Sequence, residues 1–304
     1  MSIVFIIFLA CIILYCIHSA REVDNYNKSQ YRKITKNSFW DVEFDKGKNG
    51  EYKIYKSLFR YEMDGASFLF NCYLPMENKE TTEIDAIMIH HSGIYVFESK
   101  NYGGWIFGNE RNAWWTQSLL GEGYSAQKER FYNPVWQNRT HIKYLRKKLG
   151  LFDGKIYSVI VFSDRCELKK VPADSPEAII CKRESLYWRI RSIWDALPDI
   201  LSETDIEVTY NILSNLTDVS ELQKQIHIDN INKNINKGRS VVPQQAAPPP
   251  PIVQTTPTTP EVTVPCCPKC GSQLVLRTAK KGNNAGNQFY GCSNFPKCRY
   301  IQNL

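Results

Sequence analysis

Residues 82–108 read TEIDAIMIHHSGIYVFESKNYGGWIFG, and the fold turns on how they are parsed. Two apolar runs, 83–89 and 94–99, flank His90-His91-Ser92-Gly93, a hairpin-like turn in which both histidines are expected to be exposed. Each run carries apolar residues on both faces, which implies strands buried deep in a sheet. Glu98 and Lys100 are two apart on a strand and so face the same side. Asp85, on the neighbouring strand, can bring its carboxylate to the same place. Charges at the ends of such apolar strands are costly unless they are paired or bind an ion. Two carboxylates can hold Mg²⁺, and a lysine can orient or help deprotonate a water for attack on phosphate. An ordinary salt bridge from Lys100 to Glu98 or Asp85 accounts for the same spacing.

Upstream of the hairpin, residues 67–74 read as a further strand. Gly50-Glu51-Tyr52 opens a helix-like segment through Arg60. Downstream, Asn133-Pro134 supplies an N-cap and a first-turn proline for a helix running to Leu149, with Gly150 as its stop. Residues 155–163 and 178–181 read as strands. From Ser185 to about Lys237 the pattern is helical, with Leu186, Ile190, Ile193 and Leu197 on one face. The order of helix, antiparallel strands, helix and strands predicts an α/β or α+β core. His141 is expected to pack at the surface, and Trp105, Trp114 and Trp115 to pack in the core or at a sheet edge. No glycine loop with a phosphate-binding lysine is present, which argues against a nucleotide cofactor or an ATP-driven motor.

The N-terminus carries an uncharged apolar run, IVFIIFLACIILYCI (3–17), which as a helix from residue 1 to 20 spans about 30 Å, the thickness of a bilayer core. A cleaved signal peptide would want a basic residue ahead of the run and a small-x-small site after it, and neither is there. Arg21, Lys28, Arg32, Lys33 and Lys36 follow the run, which places the body in the cytoplasm as a single-pass inner-membrane protein. The stretch to about Asn37 is polar and basic. The formal net charge of +7 suits a polyanionic partner or a membrane surface.

From Gly238 to Val264 the chain is rich in Pro, Thr and Gln, with almost nothing to bury, as in a disordered linker. The module beyond it is too short for an independent core without a staple. Five of the ten cysteines crowd there. Cys267 and Cys270 have two intervening residues, Cys292 and Cys298 have five, and twenty-one lie between the pairs. That pattern predicts a four-sulfur zinc site in a reducing compartment, with Cys266 outside it. Lys280, Lys281, Lys297 and Arg299 can meet phosphates, and Phe289, Tyr290, Phe295 and Tyr300 can stack on bases. The alternative for Phe289 and Phe295 is a place in the module's small core.

Two resemblances sharpen these expectations. CPKCGSQLVLR (267–277), KKGNNAGNQFYGC (280–292) and CSNFPKCRY (292–300) closely resemble the C-terminal zinc fingers of bacterial type IA DNA topoisomerases, which implies a grip on single-stranded DNA. GEYKIYKSL (50–58), residues 82–108 and NPVWQNRTHIKYLRKKL (133–149) resemble the nuclease-related domain (NERD) family, itself similar to the PD-(D/E)xK, restriction-endonuclease-like fold. By position, that resemblance implies Asp85 and Glu98 as Mg²⁺ ligands, Lys100 as the catalytic lysine, Glu51 as an accessory acid and Gln137 as a contributor from its helix. Ile84 stands where the broader motif often has proline. The implied activity is a metal-dependent phosphodiesterase acting on DNA or RNA; the alternative is a non-catalytic, membrane-tethered nucleic-acid binder using the same scaffold. The expected division is a transmembrane anchor at 1–20, a nuclease-like domain at 38–165, a strand and helical extension at 166–237, a linker at 238–264 and a zinc finger at 265–304.

Overall fold

The computed structural model describes all residues except 1–2, 78–79, 121–125, 151, 153, 173–174, 176, 241–266, 271, 273, 279–287, 295 and 304. The described chain forms two compact units, Met1–Ala246 and Ala247–Leu304.

In the first unit the hairpin forms as its alternation implies. Strands β2 (Thr81–His90) and β3 (Gly93–Lys100) pair antiparallel from Ala86↔Phe97 to His90↔Gly93, and Gly93 takes φ +133°, a conformation suited to glycine. Strand β1 (Ser67–Pro75) pairs antiparallel with β2 on the outer side. Beyond β3 lie β7 (Ile156–Phe162) and β9 (Ile179–Lys182), both parallel, giving the sheet order β1-β2-β3-β7-β9. A second sheet joins β4 (Gly104–Phe107), β5 (Trp114–Leu120), β6 (Ala126–Tyr132) and β8 (Cys166–Lys169) in the order β6-β5-β4-β8.

Both faces of the main sheet are covered, which explains the continuous apolar runs. On one face Phe68, Phe70, Met88, Tyr95 and Phe97 pack with Tyr52, Ile54 and Leu58 of α4 (Lys46–Leu58) and Leu186 and Ile190 of α6 (Arg183–Ala196). On the other, Leu69, Ile87, Ile94 and Val96 meet Tyr144 and Leu145 of α5 (Pro134–Leu149) and Ile206 and Leu213 of α7 (Glu203–Ser214). The result is the mixed α/β core that the element order predicts, with α5 bounded by Asn133 and Gly150 as expected. A last helix of this unit, α8 (Glu221–Ser240), begins against β1 and β2, where its His227 contacts Tyr73 and Thr81; residues 238–240 of the expected linker are helical, and its remainder, 241–264, lies outside the described residues.

Three local expectations change. Helix α4 starts at Lys46 rather than Gly50, because the Asp45 side chain accepts the Lys48 N–H and caps the helix early. The polar stretch before residue 38 is built into the core: α1 runs Ile3–Lys28, and Ser29 caps α2 (Gln30–Thr35). Tyr26 and Tyr31 are fully buried there, with Tyr26 edge-on to Tyr52 and to Phe39 of α3 (Phe39–Phe44). His90 is fully buried instead of exposed, since its ring packs 4.5 Å from Trp194 and its Nδ1 lies 2.8 Å from Ser92 Oγ. Burial pushes its pKa down to about 4, with the neighbouring His91 adding to the effect. The apolar part of α1 is exposed along its length, and the helix is long and apolar enough to cross a membrane.

The second unit is a three-stranded antiparallel sheet of β10 (Leu274–Thr278), β11 (Gln288–Cys292) and β12 (Ile301–Asn303).

Candidate functional site

The site of the first unit grows from the place where β2 and β3 part. Their ladder ends at Ala86↔Phe97, and the Ser99 N–H left unpaired donates instead to Asp85 Oδ2 at 2.7 Å. The outer pair is irregular at the same level: Phe70↔Ala86 and Cys72↔Ile84 are partners, while Asn71 between them takes φ +53°. Alternation breaks there, so Leu69, Cys72 and Leu74 face one layer, as do Ile84 and Ile87. A positive φ is costly for a residue with a Cβ, least so for asparagine, and such strain collects at functional sites. The Asn71 Oδ1 is buried and has no hydrogen-bond partner among the described residues.

Glu98 and Lys100 project side by side from β3, with Lys100 Nζ 2.6 Å from Glu98 Oε1 and 3.1 Å from Gln137 Oε1 on α5. The second oxygen, Glu98 Oε2, lies 3.0 Å from His141 Nε2, whose Nδ1 in turn meets Thr82 Oγ1 at 2.7 Å. His141 is therefore buried and part of the site, not a surface residue. Its one-turn spacing from Gln137 is the signal that places it there. Glu51 comes from the first half of α4. A Cβ on Gly50 would sit 2.6 Å from Ser99 Oγ, so glycine is what lets α4 approach the end of β3 this closely. Asn101 Nδ2 ties the same helix down by donating to the Lys46 carbonyl at 2.7 Å.

Electrostatically the cluster is short of cations. Burial, and then the charges of Glu98 and Glu51, push the Asp85 carboxyl well above the usual range. Burial and the charge of Glu83 raise Glu51 to about 8. Burial also acts on Glu98, but Lys100 and His141 outweigh it and hold that carboxyl below its ordinary value. Lys100 is raised, because Glu98 and Asp85 outweigh its own burial. One lysine thus neutralises Glu98 and leaves Asp85 and Glu51 under-compensated, and oxygen donors of this kind are the ligand type a divalent cation takes. Glu98 keeps lone pairs for such an ion although both its oxygens are engaged.

In the second unit, Cys267, Cys270, Cys292 and Cys298 bring four sulfurs within 4.8 Å of one another, with Cys267–Cys298 at 3.8 Å and Cys270–Cys292 at 3.3 Å. A tetrahedral zinc with Zn–S bonds of about 2.3 Å requires S···S separations of roughly 3.8 Å, so these residues fit a structural Zn²⁺. The Cys267 N–H donates to the Ser272 carbonyl at 2.7 Å and the Asn294 N–H to Cys292 Sγ at 3.4 Å, which fixes both ligand turns. Tyr290 and Tyr300 pack against the sulfur cluster, Phe289 is half-buried, and Lys297 and Arg299 are exposed. Lys280, Lys281, Phe295 and Cys266 lie outside the described residues.

The expected tryptophans divide. Trp115 is fully buried, whereas Trp105 and Trp114 stand 47% and 40% exposed.

Comparison with known proteins agrees with both units. The family described as the nuclease-related domain matches residues 46–163, and the topoisomerase DNA-binding C4 zinc finger matches residues 264–304. An uncharacterized protein of Bacillus anthracis is 34% identical over 166 residues, covering 54% of this chain and 70% of that protein. DNA topoisomerase 1 of Methanocaldococcus jannaschii is 50% identical over 36 residues, 12% of this chain and 4% of that enzyme. DNA topoisomerase 1 of Mycoplasma genitalium is 53% identical over 36 residues, 12% of this chain and 5% of that enzyme. No solved structure matches the chain. With the family's residues running through the sheet that carries Asp85, Glu98 and Lys100, the chain belongs to the nuclease-related domain (NERD) family and ends in a topoisomerase-type zinc ribbon.

Proposed function

We propose that this chain is a membrane-anchored, divalent-metal-dependent phosphodiesterase that cuts nucleic acid, with the zinc ribbon holding single-stranded DNA for it. The observation that carries the reading is the convergence of Asp85, Glu98, Lys100 and Gln137 where β2 and β3 part, with Glu51 adding its charge. Asp85 and Glu98 would hold Mg²⁺, with Glu51 as a third acid. When bound, the ion polarises a phosphoryl oxygen and acidifies a water.

The remaining work falls to the chain's own groups. Lys100, held between Glu98 and Gln137, can orient the attacking water or steady developing negative charge. Gln137 accepts from its ammonium and fixes its reach. His141 holds the far oxygen of Glu98, and the Ser99 N–H holds Asp85. The apolar run of α1 supplies the anchor, and the basic residues after it favour a cytoplasmic body at the inner membrane.

The test uses the full chain in detergent with labelled single- and double-stranded DNA and RNA, in Mg²⁺, Mn²⁺ or EDTA, beside Lys100→Met. Metal-dependent cutting that the variant loses by about 100-fold or more supports the reading. Binding without cutting, equal in both proteins, replaces it with a non-catalytic tethered binder. Circular dichroism of Lys100→Met guards against misfolding, since removing a buried counter-charge costs about 3–5 kcal/mol.

A further inference from the structure

The second sheet has one face in the core and one in solvent. Ile106, Trp115, Phe131, Cys166 and Leu168 fill the inner face. The register puts Trp105 opposite Ser118, Trp114 opposite Tyr132, Thr116 opposite Arg130, Ser118 opposite Lys128 and Phe107 opposite Lys169, all on the outer face. Trp105, Trp114 and Tyr132 are 47%, 40% and 44% exposed there. Trp114 and Tyr132 meet edge-on with ring centres 6.0 Å apart, yet both, like Trp105, keep a large part of their surface in water, as the aromatics of binding surfaces do.

The rings are interleaved with cations. Arg130 Cζ stands 5.6 Å from the Trp114 ring centre, and Lys169 Nζ stands 5.7 Å from that of Trp105. Lys128 is exposed beside them, and the carboxylate on this face, Glu167, is paired with Lys169 at 2.6 Å. Among the described residues of the four strands, three cations on this face meet one acid, a balance that suits a polyanion. Exposed rings spaced between cations suit one whose units carry both a flat π face and a phosphate. The sheet also adjoins the acidic cluster along the chain: β4 begins four residues after Lys100, and Tyr132 ends β6 five residues before Gln137.

We infer that the outer face of the β6-β5-β4-β8 sheet is a stacking platform for single-stranded nucleic acid, with bases on Trp105, Trp114 and Tyr132 and phosphates on Lys128, Arg130 and Lys169. Trp114 lies four residues along β5 from Ser118, the partner of Trp105, so the two indoles sit about 14 Å apart along the strand, a span of a few nucleotides. The platform rests on the reading that the first unit handles nucleic acid, and it names the form of the substrate: an unpaired strand, because duplex bases present no free face to stack.

The experiment photocrosslinks the full chain in detergent to a DNA oligonucleotide carrying 5-iododeoxyuridine, with the RNA counterpart and a duplex in parallel, and maps the adducts by mass spectrometry. Adducts on Trp105, Trp114 or Tyr132 with the single strand are expected. Trp105→Ala/Trp114→Ala should weaken single-strand binding by about tenfold or more. Lys128→Gln/Arg130→Gln, at exposed positions, should flatten its salt dependence. Adducts confined to residues 264–304, or stronger labelling by the duplex, would overturn the platform. Metal-dependent cutting without sheet adducts leaves the nuclease standing and removes the platform. Sheet adducts without cutting in any metal do the reverse.

Discussion

The Tyr31 hydroxyl lies 3.2 Å from Glu51 Oε2 and joins the segment that follows the apolar helix to the acidic cluster. Tyr31 precedes the family-matched region, which begins at residue 46, so this contact ties a residue outside that region to Glu51 within it. Tyr31→Phe should cost about 1 kcal/mol, or roughly 2–4 °C in Tm by thermal melting. Trimming the chain to begin at residue 38 removes Tyr31 and Tyr26, both fully buried, and should melt far lower than a chain beginning at residue 21. Equal melting of the two trimmed chains would show that the segment is dispensable.

Gly50 makes a sharper case for close packing. A methyl group there would sit 2.6 Å from Ser99 Oγ, at the end of a short side chain. Gly50→Ala should therefore destabilise the chain and, on the proposed reading, weaken metal binding, and Ser99→Gly in the same chain should restore most of both. Thermal melts and Mn²⁺ titration read the two effects. A double variant no better than Gly50→Ala would place the strain elsewhere.

The buried His90 makes stability depend on pH. Its folded pKa is about 4 and its unfolded value about 6.5. Between those values the unfolded chain binds a proton that the native state refuses, so stability rises with pH across the window. The stabilisation is complete above pH ~6.5 and is lost as pH falls toward ~4. His90→Gln should flatten Tm against pH between 4.5 and 6.5 relative to the parent, as followed by differential scanning fluorimetry. An identical slope in the two proteins would assign the effect to the carboxylates.

Zinc removal should act on the second unit alone. A chelator strong enough to strip four thiolates unfolds a module of this size, because the ion supplies its folding free energy. Thiol titration should then count Cys267, Cys270, Cys292 and Cys298 as newly reactive, while the main melting transition stays put. A shift of that main transition would mean that the two units depend on each other for stability.

Much of the fold could be read directly. The hairpin shows in the apolar runs around Gly93, and α5 shows in Asn133-Pro134 and Gly150, because local chemistry sets those elements. Glu98 and Lys100 share a side by simple alternation, and the four cysteines announce themselves by spacing. What was illegible is tertiary. β6 (AQKERFY) has no apolar period because residues 126–130 are exposed on both faces at the edge of the sheet. The kink at Asn71 and the reach of Tyr31 to Glu51 depend on elements far apart in sequence. The burial of His90 depends on Trp194, more than a hundred residues on.

Helix α1 is continuous from its apolar run to Tyr26, which is locked into the core. With the run in a bilayer, the nine helical steps from Ile17 to Tyr26 amount to a stiff post of roughly 14 Å, not a leash. A leash would let the acidic cluster sweep a volume and search for substrate. A post would fix its height and bearing above the lipid, so under the proposed function a strand has to be delivered to that level to be handled at all.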